Sequence, residues 1–382
     1  MSTSVLLVST AANWLGTARM PAALGKAGFD VSLLTPADSL AAKSRFVRRI
    51  GYLPQDATPL QWVFAFAAMV KATGPRLVVP CDDTSVRLMQ MLVLTPPDNL
   101  QSAQYIKLAG LIRESLGSPD HYRASVDKTL LPAAAKALGV RVPPCIVTDE
   151  LEDACSFAER QGFPVVVKRG FGAAGEWVVI VADRAQLEQQ FSRLMAATML
   201  EIEGAAKTQV LVQAHISGNI VDQSMVAWHG APLAGFVREK LIKNPPLGPA
   251  TVVKVLHLPE VRKFSDRLAA GLGMSGFFAI EYIVESSTGD AYLIEINRRA
   301  TSGITLGAMV GVDLCQALYA ALTGSPSSVR GDVEPGEEQL IAHFPEEWFR
   351  DPGSRYLREY RIDGLWDDPD VLAASMALRY AD

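Results

Sequence analysis

The chain has 382 residues, of which 49% are hydrophobic, so it can bury a large core and is long enough for two or three domains. Its formal net charge is −5 and its basic residues are scattered, which argues against nucleic-acid or membrane partners and favours a small-molecule ligand. The four cysteines show no metal or disulfide spacing, and neither a leader nor a membrane-spanning stretch is evident, so we expect a cytoplasmic protein.

The first third of the chain alternates strand and helix patterns, which predicts a parallel sheet covered by helices. Its loops 9–16 and 80–84 follow strands, at the edge where open α/β sheets place ligand groups. The first loop lacks a GxGxxG pattern, and the plain alternative for both loops is helix capping. The predicted strands are 5–8, 31–34 and 77–80, and the predicted helices are 17–27 and 60–72.

After about residue 115 the pattern changes to strands joined by shorter connections. A helix over 127–138 should end at Gly139, because Gly favours a C-cap and the following Pro143-Pro144 prevents continuation. Two strands then flank a glycine-rich loop at 170–176, whose N–H groups could fold over a phosphate chain. A flexible hairpin tip is the alternative. The neighbouring predictions are strands 145–148, 163–169 and 177–181 and helices 151–161 and 184–200.

The remaining core pattern is mainly of antiparallel strands. Strand signals cover 209–218, 222–228 and 231–240, with His229-Gly230 as a turn, and a helix follows at 259–271. Residues 297–307 read as a polar loop and 308–323 as a helix.

A hairpin between residues 277 and 299 carries carboxylates where a core requires hydrocarbon. Its two β-branched and aromatic runs flank turn residues at 285–290. If Glu285 lies opposite Ala291, then Glu281 lies opposite Glu295, and strand alternation places Asn297 on the same face. Two carboxylates and an amide suit Mg²⁺, whereas a solvated face with two unrelated glutamates is the open alternative.

Several short motifs occur in a fixed order over residues 120–325. They are Asp127-Lys128 followed by Gly139-Val140-Arg141-Val142-Pro143, Val165-Val166-Val167-Lys168 with Gly170-x-Gly172, Val212-Gln213-x-x-Ile216-Ser217-Gly218, and Glu295-Ile296-Asn297-x-Arg299. This ordered set resembles the ATP-grasp superfamily, of the carboxylate–amine ligase type. The resemblance implies a nucleotide held between two lobes that contain antiparallel sheets.

The resemblance implies nucleotide contacts position by position. Lys128 and Lys168 would contact the α- and β-phosphates, and the loop would close over the terminal phosphates. The adenine would contact the side chain of Gln213 and the backbone, and Asp222 is the candidate for the ribose. An acid is common at or just after position 213, so the purine and ribose contacts stay open. The loop residues are Gly170, Gly172, Ala173, Ala174 and Gly175, and the backbone contacts are Ala214 and Ile216.

The resemblance also implies a centre for phosphoryl transfer. Glu281, Glu295 and Asn297 match metal ligands, for which we expect two Mg²⁺ ions, with Mn²⁺ as an alternative. Arg238 and Lys240 match basic residues near the γ-phosphate, although surface strands carry such charges routinely. Arg299 would stabilise the oxyanion that forms when an amine attacks an acyl phosphate.

The expected fold class is α/β, with an α+β catalytic part. Residues 1–115 look like the Rossmann-like domain that precedes the ATP-grasp domain in relatives. Residues 116–325 would form the ATP-grasp domain, with a small lobe at about 140–210 and a large lobe at about 211–325. Residues 326–382 would be an extension that packs on the ligase core.

The expected activity is ATP- and Mg²⁺-dependent joining of a small-molecule carboxylate to an amine, such as an amino acid. Two alternatives stay open: carboxylation through carboxyphosphate, and a nucleotide-binding module without turnover. The expected partners are these small molecules, and a homodimer is one option for assembly.

Overall fold

The computed structural model describes residues 3–54, 56–95, 103–170, 177–196, 208–245 and 248–378. Within these ranges the secondary structure is mixed α/β and forms three sheets. The two sheets after residue 140 are built mainly from antiparallel strands, which confirms the expected fold class at that level.

The first sheet is parallel, and helices connect most of its strands. Its strands are β1 (Ser4–Val8), β2 (Asp30–Pro36), β3 (Val47–Leu53) and β4 (Leu77–Pro80), and its helices are α1 (Leu15–Ala27), α2 (Pro59–Thr73), α3 (Asp83–Leu94) and α4 (Ala103–Leu116). The strand order is β3-β2-β1-β4. The sequence analysis missed β3, since the exposed Arg48 and Arg49 obscure its strand pattern.

A carboxylate joins the two loops at the carboxyl edge of this sheet. Asp82 caps α3 by accepting from the backbone N–H of Ser85 at 2.8 Å. The same carboxylate accepts from the N–H of Thr10 at 2.6 Å and from its hydroxyl at 3.0 Å. The loops that follow β1 and β4 are therefore held together.

The second sheet is small and antiparallel. Its strands are β5 (Cys145–Thr148), β6 (Val165–Arg169), β7 (Val178–Val181) and β8 (Val210–Ala214), in the order β5-β8-β6-β7, and its helices are α7 (Leu151–Gln161) and α8 (Arg184–Ala196). The helices cover one face, where Val165, Val167 and Val212 join a core with Phe157 and Phe191. Lys168 and Gln213 alternate with these valines and so lie on the other face.

The third sheet has seven strands in the order β13-β12-β9-β10-β11-β14-β15. The strands are β9 (Gly218–Trp228), β10 (Ala231–Lys243), β11 (Ala250–Leu256), β12 (Gly276–Glu285), β13 (Ala291–Asn297), β14 (Gln339–His343) and β15 (Arg361–Asp363). The remaining helices are α5 (Tyr122–Val126), α6 (Leu131–Ala137), α9 (Pro259–Gly271), α10 (Ser302–Leu306), α11 (Leu314–Thr323), α12 (Glu346–Arg350), α13 (Tyr356–Glu359) and α14 (Pro369–Ala377), and 3₁₀ turns lie at Leu40–Lys43, Pro119–His121 and Gly307–Val310.

On one face of this large sheet, the side chains change from apolar at one end of the strands to charged further along. The opposite face is apolar and packs against α9. On the changing face, apolar residues at one end of β9, β10 and β12 pack with α11 and the parallel sheet, and charged residues follow at even spacing. The apolar residues are Val226, Phe236 and Phe277, and the charged residues are Asp222, Arg238 and Glu281.

The predicted helix over 127–138 is too long at its start. Asp127 accepts from the backbone N–H of Thr129 at 2.8 Å and from its hydroxyl at 2.6 Å, which forms a turn. Pro132, which is favoured in a first helical turn, then follows the start of α6 at Leu131. Lys128 therefore lies in a turn rather than at a helix start.

The predicted helix over 308–323 is also interrupted. Gly311, with φ of 79°, separates the 3₁₀ turn from α11, which begins after Asp313 caps the N–H of Gln316. Part of the predicted polar loop is instead α10. In the described ranges no single helix is long and apolar enough to cross a bilayer, and only Ser302–Val310 with Leu314–Thr323, bent by 90°, meets the length and composition criteria as a pair.

A buried carboxylate fixes the chain after residue 326 to the large sheet. Glu347 has 0% exposure and accepts from the hydroxyl of Thr251 on β11 at 2.6 Å. Arg350 and Ser354 also donate to it. Burial alone would raise the pKa of Glu347, but the bonds from Arg350, Ser354 and Thr251 outweigh burial and hold that pKa below its usual value.

We expect Thr251→Val to lower the free energy of unfolding by about 1–3 kcal/mol, because a buried carboxylate loses a donor. Urea unfolding followed by circular dichroism measures the change. Thr288→Val is the matched control, since that exposed hydroxyl donates to Glu285 at 2.7 Å. Equal stability of the two variants would contradict the role assigned to Thr251.

Candidate functional site

One row of ionisable side chains crosses four strands of the large sheet. Glu281 on β12 pairs with Glu295 on β13 and with Asp222 on β9, and Asp222 pairs in turn with Arg238 on β10. Directly opposite residues of antiparallel strands point to the same face. We call Glu295, Glu281, Asp222 and Arg238 the charged row.

The predicted facing of Glu281 and Glu295 is present, but the register predicted at the turn is wrong. Ala291 pairs with Val284, not with Glu285, whose N–H instead donates to the carbonyl of Asp290. Between Glu281 and Tyr282 the register shifts by one residue, which leaves Ile294 as the extra residue of a bulge. The bulge compensates the error at the turn and restores the facing glutamates.

Positive and N–H groups of the protein surround the facing glutamates. Lys240 Nζ donates to Glu281 Oε1 at 2.7 Å, and Lys128 Nζ lies 3.5 Å from Glu295 Oε2. Asn297 Nδ2 donates to Glu281 at 3.1 Å and to Glu295 at 3.3 Å, so it shares their face as predicted. The side chains of Glu281 and Lys240 are only 14% and 15% exposed, which does not fit a solvated outer face.

The two glutamates are electrostatically unequal. Burial raises the pKa of Glu281, and the negative charge of the facing Glu295 raises it further. Lys240 lowers this pKa but does not outweigh the other two effects. Burial would also raise the pKa of Glu295, but Lys128, Lys240 and Lys168 outweigh burial and lower it. Glu295 is thus the more readily ionised carboxylate.

Asp222 and Arg238 form a buried pair beside the glutamates. Arg238 Nε donates to Asp222 Oδ1 at 2.8 Å, and the hydroxyl of Ser224 donates to the same oxygen at 3.1 Å. Burial would raise the pKa of Asp222, but Arg238 and Lys240 outweigh burial and lower it. Asp222 therefore lies in the middle of the charged row, and its ribose contact remains a prediction.

Lys168 and Gln213 lie on the face of the small sheet opposite α7 and α8. Both are buried, and Gln213 pairs with Val166, two residues from Lys168. Burial lowers the pKa of Lys168 to about 8, an effect that Glu295 opposes and Lys128 increases. The charges of Lys168 and Glu295 therefore interact across the two sheets.

The predicted adenine segment lies at the end of β8. The N–H of Ala214 donates to the carbonyl of Pro144 at 2.8 Å, so this N–H already has a partner. Ile216 lies in the connection between β8 and β9 and is only half-buried. An adenine contact by this segment would therefore depend on Gln213 and on backbone groups other than the N–H of Ala214.

Gly170 connects the two predicted phosphate-binding lysines. Its carbonyl accepts from the N–H of Lys128 at 2.8 Å, and it follows Lys168 by two residues. A Cβ at position 170 would lie 2.5 Å from Asp127 Oδ1, so this close approach requires glycine. Gly172, Ala173, Ala174 and Gly175 lie outside the described residues.

Arg299 joins the end of β13 to the parallel sheet. Its Nε donates to Asp83 Oδ2 at 2.9 Å, and its guanidinium lies 5.5 Å from the ring centroid of Trp14. Burial would lower the pKa of Arg299, but Asp83, Glu295 and Asp82 raise it. The sequence analysis missed these partners, although it singled out the two loops that contain Trp14 and Asp83.

The donor set at the glutamates fits Mg²⁺ better than a closed metal cage. In the part of the chain that the structure describes, no three His, Cys, Asp or Glu side chains group to hold a metal. Turning the Asn297 amide would present its oxygen beside the two carboxylates. Mg²⁺ uses few protein oxygens and completes its shell with water and phosphate.

Comparison with known proteins identifies one segment of the chain. Residues 127–220 match the family described as "Carbamoyl-phosphate synthase L chain, ATP binding domain". The arginine-specific large chain of carbamoyl phosphate synthase from Arabidopsis thaliana is 26% identical over 259 residues, which are 63% of this chain and 21% of that protein. Residues 127–220 thus match an ATP-binding domain of the ATP-grasp type, in agreement with the resemblance seen in the sequence.

Solved structures extend the likeness in fold beyond the matched segment. L-amino acid ligase from Bacillus licheniformis has a TM-score of 0.61 at 15% identity, with 86% of this chain and 77% of that chain covered. The biotin carboxylase domain of Hydrogenobacter thermophilus 2-oxoglutarate carboxylase, in complex with MgADP and bicarbonate, has a TM-score of 0.64 at 15% identity, with 89% and 74% covered. At such identities the likeness shows the fold alone. The chain spans about a fifth to a quarter of the length of these curated relatives.

We expect Lys168 to titrate near pH 8 in the nucleotide-free protein, because burial disfavours its charged form. Its positive charge is present below that pH and is lost as the pH rises through it. Affinity for a phosphate anion should therefore decline above pH 8. Reductive ¹³C-methylation and an NMR titration measure the pKa, and Lys168→Met identifies the resonance. A spectrum in which every lysine titrates above about pH 9.5 would contradict the assignment.

Proposed function

We propose that this ATP-grasp chain is an ATP- and Mg²⁺-dependent ligase, which phosphorylates a small-molecule carboxylate and joins the product to an amine. The observation that carries the proposal is the buried charged row with Lys128 and Lys240 beside it, since it combines metal-binding carboxylates with phosphate-binding cations. The match of residues 127–220 to an ATP-binding domain supports ATP as the phosphoryl donor.

Glu281, Glu295 and Asn297 would hold the metal, with two Mg²⁺ ions expected and Mn²⁺ as an alternative. When bound, the metal would supply positive charge to the terminal phosphates. The MgADP complex of the Hydrogenobacter thermophilus domain supports this choice of ion. The pKa of Glu295 is held low by three lysines, so Glu295 offers an ionised oxygen near neutral pH.

The surrounding cations would hold the phosphates of ATP. Lys128 and Lys240 would exchange a glutamate partner for a phosphate oxygen, which keeps each charge paired before and after binding. Lys168 would contact the phosphates from the small sheet, and Arg238 would contact the γ-phosphate. Gln213 would contact the adenine at the far end of the small-sheet face.

The proposed reaction has two transfers. An oxygen of the substrate carboxylate attacks the γ-phosphorus in line, the bond from that phosphorus to the β-bridging oxygen breaks, and ADP leaves. The amine then attacks the acyl carbon, loses a proton, and expels phosphate. Arg299 would donate to the oxyanion that forms on the acyl oxygen during this second step. Its bond to Asp83 fixes its orientation from the parallel sheet.

Two alternatives have their own support. Carboxylation through carboxyphosphate is supported by the bicarbonate in the complex of the Hydrogenobacter thermophilus domain. A nucleotide-binding module without turnover would need no acceptor, but the row contains more ionisable groups than nucleotide binding alone requires. The Bacillus licheniformis amino acid ligase gives the ligase reading comparable support, because its fold matches at similar coverage.

We expect ADP release to require both a carboxylate and an amine. A screen of paired amino acids and related acids, with a coupled ADP assay, measures this. Glu295→Gln should reduce the rate by at least about a hundredfold, because it removes an ionised group that supports transition-state charge. Glu338→Gln is the matched control, since Glu338 forms an exposed ion pair with Lys254 at 2.8 Å.

The outcomes separate the three readings. ADP release with bicarbonate alone would support the carboxylase, and Mg·ATP binding without release across the panel would support the binding module. Unchanged turnover in Glu295→Gln would mean that the metal assignment is wrong.

We expect Arg299→Met to uncouple the two steps of the ligase. The acyl phosphate would still form and hydrolyse, but amide formation should slow by about a hundredfold, the loss typical for one oxyanion donor. The measured quantity is amide formed per ADP released. Arg267→Met is the control, because Arg267 is exposed and donates only to the carbonyl of Gly139. An unchanged ratio would contradict the oxyanion role.

A further inference from the structure

A buried chain of side chains continues from the charged row into the C-terminal part of the protein. Beyond Asp222, Arg238 Nη1 lies 3.5 Å from Nε2 of His343 on β14. The Nδ1 of His343 lies 2.9 Å from Asp363 Oδ2 on β15, and Asp363 forms an ion pair with Arg19 on α1 at 3.0 Å. These contacts link three regions that are more than 100 residues apart in sequence.

Donor and acceptor chemistry fixes the tautomer of His343. A guanidinium has only donors, so Nε2, which faces Arg238, must be the nitrogen without a proton. Nδ1 must then carry the proton and donate to the carboxylate of Asp363. A protonated ring would instead direct an N–H at Arg238 and place two cations in contact.

The partners of Asp363 support an ionised acceptor for that proton. Arg19 donates to the carbonyl of Phe344 at 2.8 Å and to Glu346 at 2.9 Å, in addition to its ion pair with Asp363. Burial would raise the pKa of Asp363, but Arg19 and His343 outweigh burial and lower it. The imidazole therefore donates to a charged carboxylate.

The surroundings of Arg238 restrict its guanidinium to one orientation. Its Nε is held by Asp222, its Nη1 faces His343, and its side chain is 5% exposed. Gly303 lies against it, because a Cβ at position 303 would be 2.7 Å from Arg238 Cζ and 2.1 Å from the hydroxyl of Ser224. His343 is thus the residue that supports the edge of the guanidinium opposite Asp222.

We propose that His343 is a positioning residue for Arg238, held as the neutral Nδ1–H tautomer by Asp363. It acts by keeping the guanidinium in the plane in which Arg238 meets the terminal phosphate, so this step rests on the proposed function. Strands β14 and β15, which lie in the predicted extension rather than the predicted ATP-grasp domain, thereby contribute to the site.

The tautomer can be tested without any substrate. A long-range ¹H–¹⁵N correlation spectrum of the wild-type protein distinguishes a protonated ring nitrogen from an unprotonated one, and His343→Gln identifies the signals among the five histidines. We expect Nδ1 to carry the proton and Nε2 to lack it at pH 7.5. A proton on Nε2 would overturn the proposal, whether or not the protein binds nucleotide.

Two isosteric variants separate positioning from packing. His343→Gln places an amide oxygen near the position of Nε2 and keeps an acceptor for Arg238. His343→Asn places an amide nitrogen near Nδ1, which keeps the donor to Asp363 but removes that acceptor. Loss of packing alone would lower thermal stability, more with the shorter Asn than with Gln.

The readout is the ratio of affinities for a non-hydrolysable Mg·ATP analogue and for Mg·ADP, measured by calorimetry. We expect His343→Asn and Arg238→Lys each to lower this ratio about tenfold, which is the contribution of one charge-assisted hydrogen bond. His343→Gln should stay within about threefold of the wild type. Thermal melting of each variant checks that it is folded.

The outcomes distinguish the positioning role from the proposed function. If Arg238→Lys alters the ratio and folded His343→Asn does not, the positioning role is overturned and the proposed function stands. If Arg238→Lys leaves the ratio unchanged, the proposed phosphate contact of Arg238 fails, and the positioning role fails with it. If His343→Asn does not fold, the tautomer in the wild-type protein decides the proposal.

Discussion

The requirement to compensate carboxylates on a buried sheet face organises this protein. Glu281 and Glu295 face each other across two paired strands, where like charges repel. The compensating groups come from separate parts of the chain: Lys240 from strand β10 of the same sheet, Lys128 from a turn before the small sheet, and Asn297 from the same hairpin. Because these groups converge on the same two side chains, the carboxylates connect the turn that contains Lys128 to strands of the large sheet.

Local patterns in the sequence account for much of the site. Strand alternation was sufficient to place Asn297 with the glutamates. The predicted register at the turn was wrong, because residue periodicity does not reveal the bulge at Ile294. The predicted start of α6 was wrong, because the carboxylate of Asp127 forms a turn with Thr129 and the helix begins only at Leu131.

Other features depend on contacts that no short pattern contains. Asp222 is 16 residues from Arg238 and 59 from Glu281, and only the strand order shows that it lies between them. Arg299 and Asp83 are 216 residues apart, so their ion pair follows from how the parallel sheet packs on the large sheet. The fold resembles those of both an amino acid ligase and a carboxylase domain, so the fold alone does not identify a substrate.

The bulge at Ile294 separates two mechanical requirements of the hairpin. β12 pairs with β9 without a shift from Gly276 to Glu285, so Glu281 is held in line with Asp222 along an uninterrupted ladder. β13 is an edge strand, and its one extra residue lets the turn and the carboxylate end adopt different alignments. The alignment of Glu295 with Glu281 is therefore set separately from the alignment at the turn.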